Sequence, residues 1–585
     1  MAGIFASASA ARYAGKYFKE TVMPSQHPRP VLSTPVPSRR AAEAAGPAAV
    51  EVIYHHGHVV CLDREESVCQ AVAVRQGRIV KVGTDAVVTA LASADTLMVD
   101  LDGRTVLPGF IDGHAHPSLA VRMMEKYVDG RFRTTPSVAV LLPKISARAE
   151  QTPPGEWIIV ASSSSSQTRF AERRLPTRAE IDAAAPNHPV MFLNGAHEAV
   201  VNTQGLRSIG ITKGMSELRG ALIGLDADGE PTGVITEGMV LFPDRRVPDD
   251  DLRRYYASAI PQLWNANGYT SVYSMTPLPE MAILGELATS VVPTLRYTIA
   301  VFTDPGGRYL PPTFEALGFP AGSNPDWYRF AGIKVWADSD LPMRGGAVFE
   351  PYEGPDGGYG LLNLSQEDLD VLALRVHLAG LSFLVHATGD RATAMALTAF
   401  ERTRARADGK TLQRIEHFGV FMLGPDDLTR ARRLGIEANV QPAWLTTLTK
   451  STIEHIGAKR ARGAFRFRSM IDAGIEPGFG TDLTGIVLET LDPFLHLWAA
   501  VTRSSDVGPF VVEEAVSVIE ALRMLTIWAA KAQGEEASKG SIEVGKLADM
   551  VVISDDITSM PPDAIRDLKV LKTIVGGRVV YESEK

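Results

Sequence analysis

The chain has 585 residues, 45% hydrophobic and 22% charged, with a formal net charge of -9 from 59 basic and 68 acidic side chains. That length exceeds one simple domain, and the composition is that of an ordinary soluble globular protein. The charge balance leaves no basic field for nucleic acid. No apolar run is long enough to span a membrane, and two cysteines, Cys61 and Cys69, exclude a disulfide framework.

Residues 1–48 carry Arg12, Lys16, Lys19, Arg29, Arg39 and Arg40 against Glu20 and Glu43, with six prolines. They read as a disordered or loosely attached extension without the apolar core of a secretory signal. Their acid-poor start leaves an organelle address as the alternative. The two cysteines, too far apart in C-x7-C for a zinc pair, suit a reduced, cytoplasmic protein.

Short strands follow at 50–54, 59–62, 71–75, 78–83 and 97–100, separated by turns such as Gln76-Gly77 and Asp102-Gly103. The run His55-His56-Gly57-His58 reads there as surface strand rather than a metal site. The last 45 residues have the same texture, with a hairpin about Gly576-Gly577. Segments 49–108 and 541–585 are therefore expected to form one β-sandwich built from both termini.

The middle, 109–540, alternates apolar strands with amphipathic helices. A strand ending at His114 is followed by candidates at 270–274, 296–301, 331–337, 382–387, 414–417, 436–440 and 475–480. Ser365-Gln-Glu-Asp368 opens a helix closed by Gly380, and 391–407 and 425–434 are further helices. Eight strands with helices between predict a TIM-like (β/α)8 barrel, whose chemistry lies at the C-terminal strand ends. The long interval after the first strand reads as an inserted subdomain at about 120–250, with strand-like 156–161 and 189–193. The serine run 162–166 is expected to be a mobile loop.

In Val106-Leu-Pro-Gly-Phe-Ile-Asp-Gly-His114-Ala-His116-Pro117, strand alternation puts Phe110, Asp112, His114 and His116 on one face. The imidazoles then stand about 7 Å apart, suited to one metal ion. Lys334, His386, His417 and Asp482 end later strands. Singly, each has a bland explanation. Buried histidines are commonly hydrogen-bonded core residues, Asp482 could be a helix cap, and Lys334 could pair with Asp338 or Asp340. One such residue at each relevant strand end, in barrel order, makes coincidence improbable.

The series LPGFIDGHAHP, RLPTRAEIDAAAP, GAHEAVVN, GEPTGVITEG, GIKVWADSD, VHATGDRA, RIEHFG, GTD and GKLADMVV resembles the amidohydrolase superfamily. It is most similar to the YtcJ-like branch that includes N-substituted formamide deformylases, over about 50–585. The resemblance implies a metal-dependent hydrolase of a carbon–nitrogen bond in an amide-like small molecule, N-acyl or N-formyl among the options. It implies that His114 and His116 bind one metal with Asp482, and that His386 and His417 hold a second. Lys334 would carry a CO2-derived carbamate bridging two zinc ions, and Asp482 would be the proton carrier. His197, Asn202 and Tyr352 are the substrate-side candidates. A cyclic amide or imine hydrolase or deaminase is the nearest alternative, and a non-catalytic regulatory or scaffold protein the alternative from another class. A homo-oligomer is expected. Departures near the mouth, in Gly480-Thr-Asp-Leu-Thr-Gly485, Asp338-Ser-Asp340 and 162–166, leave the metal set intact and the substrate open.

Overall fold

The structure is a computed structural model that describes residues 49–583, apart from 132–133, 163–165, 196, 220, 242–246, 315–316, 355–356, 409–410 and 485–487. The expected terminal extension, 1–48, lies outside the described residues.

An eight-stranded parallel sheet forms the centre. Its strands are β1 (Phe110–Ala115), β2 (Tyr269–Pro277), β3 (Arg296–Phe302), β4 (Tyr328–Trp336), β5 (Ser382–His386), β6 (Gln413–Glu416), β7 (Glu437–Val440) and β8 (Gly478–Phe479). Each pairs with its neighbours in chain order. The two ends of the sheet meet again: Asp482 N donates to His114 O at 2.7 Å and His116 N to Leu483 O at 3.0 Å. The result is the expected TIM-like barrel. The strands are buried on both faces, as crossover helices demand. Helices run from Gln366–Leu378 and Asp390–Arg406, the first capped by Ser365 accepting from Asp368 N. Strand β8 is shorter than expected because Gly480 enters a tight seam. A Cβ there would lie 2.6 Å from His114 Cβ, and the chain turns to φ +48° at Asp482.

Segments before and after the barrel meet in one six-stranded sheet, where Thr105–Pro108 pairs antiparallel with Met550–Ile553. A second, four-stranded sheet contributes Val52, Tyr54, Val72 and Val74 to a core shared with Val59, Val106, Met550 and Val552 of the first. Arg296 of β3 grips Asp549 with two hydrogen bonds of 2.6 and 2.8 Å, tying the barrel to the start of strand Met550–Ile553. In the small sheets His56 pairs with Asp100 at 3.2 Å and is more than half exposed.

Between β1 and β2 lies a seven-stranded mixed sheet spanning Val128 to Thr236. Its strands alternate cleanly. Ile159, Ala161, Met191 and Leu193 join one apolar cluster, and Ile158, Val160, Val190 and Phe192 join another. Helices Val138–Gln151 and Arg178–Ala184 cover the second face through Leu141, Ile145 and Ile181. The serine run is anchored rather than loose at its described ends. Ser162 Oγ donates to Gly130 O at 2.7 Å, and Ser166 N to Asn194 Oδ1 at 3.0 Å; residues 163–165 lie outside the described set. Among the described residues no helix is long and apolar enough to cross a membrane.

Candidate metal centre

The C-terminal ends of β1, β4, β5 and β6, with the turn after β8, bring the sequence-predicted set together. The simple two-residue alternation of β1 does not hold. Its register against β2 slips between Asp112 and Ala115, and Asp112 is taken up elsewhere. It accepts from Trp264 Nε1 at 2.9 Å, Thr481 N at 2.9 Å and Thr481 Oγ1 at 2.8 Å, pinning the first strand to the last. His116 has left the strand as the residue before helix Pro117–Lys126. Both imidazoles nevertheless reach Asp482, whose Oδ1 is 3.3 Å from His114 Nε2 and 3.3 Å from His116 Nε2. His417, at φ +64°, turns its Nε2 to 4.0 Å from Asp482 Oδ2.

The far side of each ring decides what faces inward. His114 Nδ1 lies 2.6 Å from Glu416 Oε2, and His417 Nδ1 lies 2.7 Å from Gln441 Oε1. Each Nδ1 must carry a hydrogen to make these bonds. A neutral ring then presents the Nε2 lone pair to Asp482, itself an acceptor. Burial holds His116 down to about 4, with His114 and Lys334 adding to it against Asp482. Burial likewise holds His417 down to about 3 against the pull of Asp482. Burial opposes ionisation of Asp482; a proton on the facing His114, His116 or His417 ring, or a cation in its place, would hold the carboxylate well below its usual range. Lone pairs from several imidazoles converging on a carboxylate repel one another unless a cation sits among them. The donor set of neutral imidazoles and a carboxylate suits a divalent metal, and the carboxylate behind His114 is the usual support of a ligating histidine.

Lys334 of β4 is fully buried, with Nζ 3.5 Å from His114 Nε2 and 4.8 Å from the Trp336 ring centroid. Burial lowers it to about 8 against the attraction of Glu416 and Asp482. The pairing with Asp338 or Asp340 left open by the sequence does not form among the described contacts. Asp338 instead accepts from Ala347 N at 2.9 Å, Thr388 N at 3.0 Å and Gly389 N at 2.8 Å. His386 is buried, and its Nε2 has no hydrogen-bond partner. Its ring stands 4.7 Å from that of His417 and 5.4 Å from that of His197.

His197 thus joins the cluster from the inserted sheet. Asn202 and Tyr352 do not. Asn202 caps helix Thr203–Ile209, accepting from Gly205 N at 2.9 Å and Val190 N at 2.8 Å and donating to His188 O at 2.9 Å. Tyr352 spends its hydroxyl on Gly346 O at 2.7 Å. Neither makes a described contact with the histidines. Sequence reasoning missed Glu416, Gln441 and Glu237. Glu416 had a signal: Arg414 and Glu416 alternate in a buried strand, where two charges need a purpose. They pair at 2.8 Å inside the barrel. Burial would raise Glu416, but Arg414 and His114 hold it well below its usual range.

An eight-stranded parallel barrel with a histidine–carboxylate cluster at its strand ends defines the class of barrel hydrolases. A model of the amidohydrolase family matches residues 97–581, so the chain belongs to the amidohydrolase family. The N-substituted formamide deformylase of Arthrobacter pascens is 30% identical over 551 residues, covering 90% of this chain and 97% of its own. The Bacillus subtilis (strain 168) protein YtcJ, named as an amidohydrolase, is 27% identical, covering 91% of this chain and all of its own. Among solved structures, an uncharacterized metal-dependent hydrolase from Pyrococcus horikoshii OT3 shares the fold, with TM-score 0.67, 23% identity, and coverage of 88% and 99%.

Proposed function

We propose that the chain hydrolyses a carbon–nitrogen bond of an amide-like small molecule, N-formyl or N-acyl, at a centre of two divalent metals held by His114, His116, Lys334, His386, His417 and Asp482. The observation that carries this reading is the convergence of His114, His116 and His417 Nε2 on Asp482, with the Nδ1 atoms of His114 and His417 engaged behind. When bound, zinc or a similar ion supplies a water of lowered pKa and polarises a carbonyl.

The chain's own residues do the rest. Glu416 and Gln441 fix the tautomers of His114 and His417. Asp482, kept ionised, accepts the proton of the attacking water and delivers it to the leaving nitrogen. Lys334, brought to about 8 by burial, is a free amine often enough to add CO2, and its carbamate would be the anion between the two cations. Four neutral imidazoles and one carboxylate carry too little negative charge for two divalent ions without it. Trp336 and Trp444, stacked beside His116 and His417, keep bulk water from the rings. The two sheets built from the chain ends act as one β-sandwich. The 30% identical deformylase points to the N-formyl end of the substrate range.

The test is a product-release assay of zinc-loaded protein over N-formyl, N-acetyl and aryl amides. Release of amine from at least one of them is expected. Full metal loading with no turnover of any would overturn the reading.

A further inference from the structure

The run His55-His56-Gly57-His58 does not lie along one strand. Strand Val52–His55 ends at its first residue, and the backbone turns to φ +54° at His56. Consecutive side chains on a strand point to opposite faces. The turn instead brings the two imidazoles together, with ring centroids 4.4 Å apart. Asp85, the first residue of the short helix Asp85–Thr89, reaches the same place. One ligand atom from each of His55, His56 and Asp85 lies within 4.8 Å of the other two. We propose that these three side chains bind a divalent transition-metal ion on the small sheets, apart from the centre at the barrel mouth and independent of the reading given for it. Neutral imidazole with a carboxylate suits zinc, copper or nickel.

Three observations carry this beyond the grouping itself. His55 Nδ1 is shielded from water and has no hydrogen-bond partner. A shielded ring nitrogen without a partner is costly, and an ion supplies one. Asp85 is already set in place. Its Oδ1 accepts from His56 N at 2.8 Å, and its own N donates to Gln70 Oε1 at 3.1 Å. Its Oδ2 makes no described hydrogen bond. A second carboxylate stands beside the pair: Asp100 is in register with His55, and its Oδ2 lies 3.2 Å from His56 Nδ1. Asp100 steadies that ring and adds negative charge. Neither carboxylate has a lysine or arginine among its described partners, so a cation here is not opposed by a neighbouring positive side chain. Ligands on a zinc-sized ion stand about 3.3 Å apart at tetrahedral angles, a spacing within reach of a rotation of the exposed His56 ring. His58 takes no part, since it begins the next strand and faces Asp556 at 3.8 Å.

The ion would tie the end of strand Val52–His55 to helix Asp85–Thr89, whose capping residue Thr84 makes no side-chain cap bond. The site is open on the His56 side, so its ion exchanges with solvent and fills when metal is supplied to the purified chain.

The test dialyses purified full-length protein against micromolar free Zn2+ and counts ions by elemental analysis, with amide hydrogen exchange over residues 84–90 as a second readout. The wild-type chain should take up one ion beyond those it retains through purification, and exchange in 84–90 should slow. His55→Ala and Asp85→Asn should each abolish that uptake and the slowing, while the metal retained through purification stays unchanged. His58→Ala should behave as wild type. Uptake equal to wild type in both His55→Ala and Asp85→Asn would overturn the assignment, as would a wild-type chain that takes up the extra ion only at millimolar Zn2+. Should His55→Ala misfold, Asp85→Asn decides by the same count. The barrel centre is judged separately: His114→Ala should lose metal retained through purification and still take up the added ion.

Discussion

His114 and His197 face the same cluster, and each rests on a buried glutamate, yet they are held by different kinds of structure. His114 and Glu416 come from β1 and β6, inside a barrel whose closing seam is fixed by Asp112, Thr481 and Gly480. His197 and Glu237 sit at adjacent ends of strands in the inserted sheet, in backbone that turns through φ +54° at Glu237. The barrel side is over-determined: shifting one strand moves several ligands. The inserted side depends on two strand ends and one backbone hydrogen bond. The first is suited to constant chemistry and the second to variation.

The sharpest break in this comparison is at the shared reaction centre. Asp482→Asn should lower turnover by roughly 10²–10⁴-fold, the range for losing a general acid–base. Steady-state rates on metal-loaded protein measure it, and near-normal turnover with full loading would remove Asp482 from the mechanism. Next comes the support of His114. Glu416→Gln leaves Arg414 buried without its anion and should weaken metal affinity about 10–100-fold. Competition with a chromogenic chelator reads this out, and an unchanged affinity would separate the pair from the centre. At the seam, Gly480→Ala should cost about 1–3 kcal/mol in overpacking, because its Cβ would meet His114 Cβ at 2.6 Å and His114 N at 2.8 Å. Urea unfolding of the metal-free variant measures that cost; no shift in midpoint would mean that the seam yields freely.

The pH dependence of the chelated protein probes the same cluster without its metal. His116 and His417 fall from 6.5 to about 4 and about 3 on folding. Between those values and 6.5 the unfolded chain binds protons that the folded chain refuses, so stability rises with pH. It is fully present above about 6.5 and is lost as pH falls through the folded values. Melting temperatures of chelated protein across this window should decline on acidification. A profile flat from pH 7 to 4 would show that the rings are not buried as neutral groups.

How much of this was legible in the sequence follows the same division. The barrel strands were readable because apolar runs alternate with helices, and the metal set because each residue ends such a run. Strand boundaries drifted where β8 gives way to the seam. The shared face of Asp112 and His114 failed because a register slip beside Gly113 breaks the period of two. In the insertion, 156–161 and 189–193 showed as strands, but the five others did not, being short or turn-interrupted. GAHEAVVN flagged His197 and Asn202 alike. Only tertiary pairing separates a histidine facing the cluster from an asparagine capping a helix. Glu237, forty residues from His197, lies inside the GEPTGVITEG motif, but nothing local marks it as the partner of that histidine.

The most direct test of the central claim is the metal content of the full chain, grown with zinc and purified without chelator, beside His114→Ala. Two divalent ions per wild-type chain, the stoichiometry of two-metal hydrolytic sites, with one lost on the substitution, is the predicted result. A wild-type protein that hydrolyses amides while holding no stoichiometric metal would contradict the account.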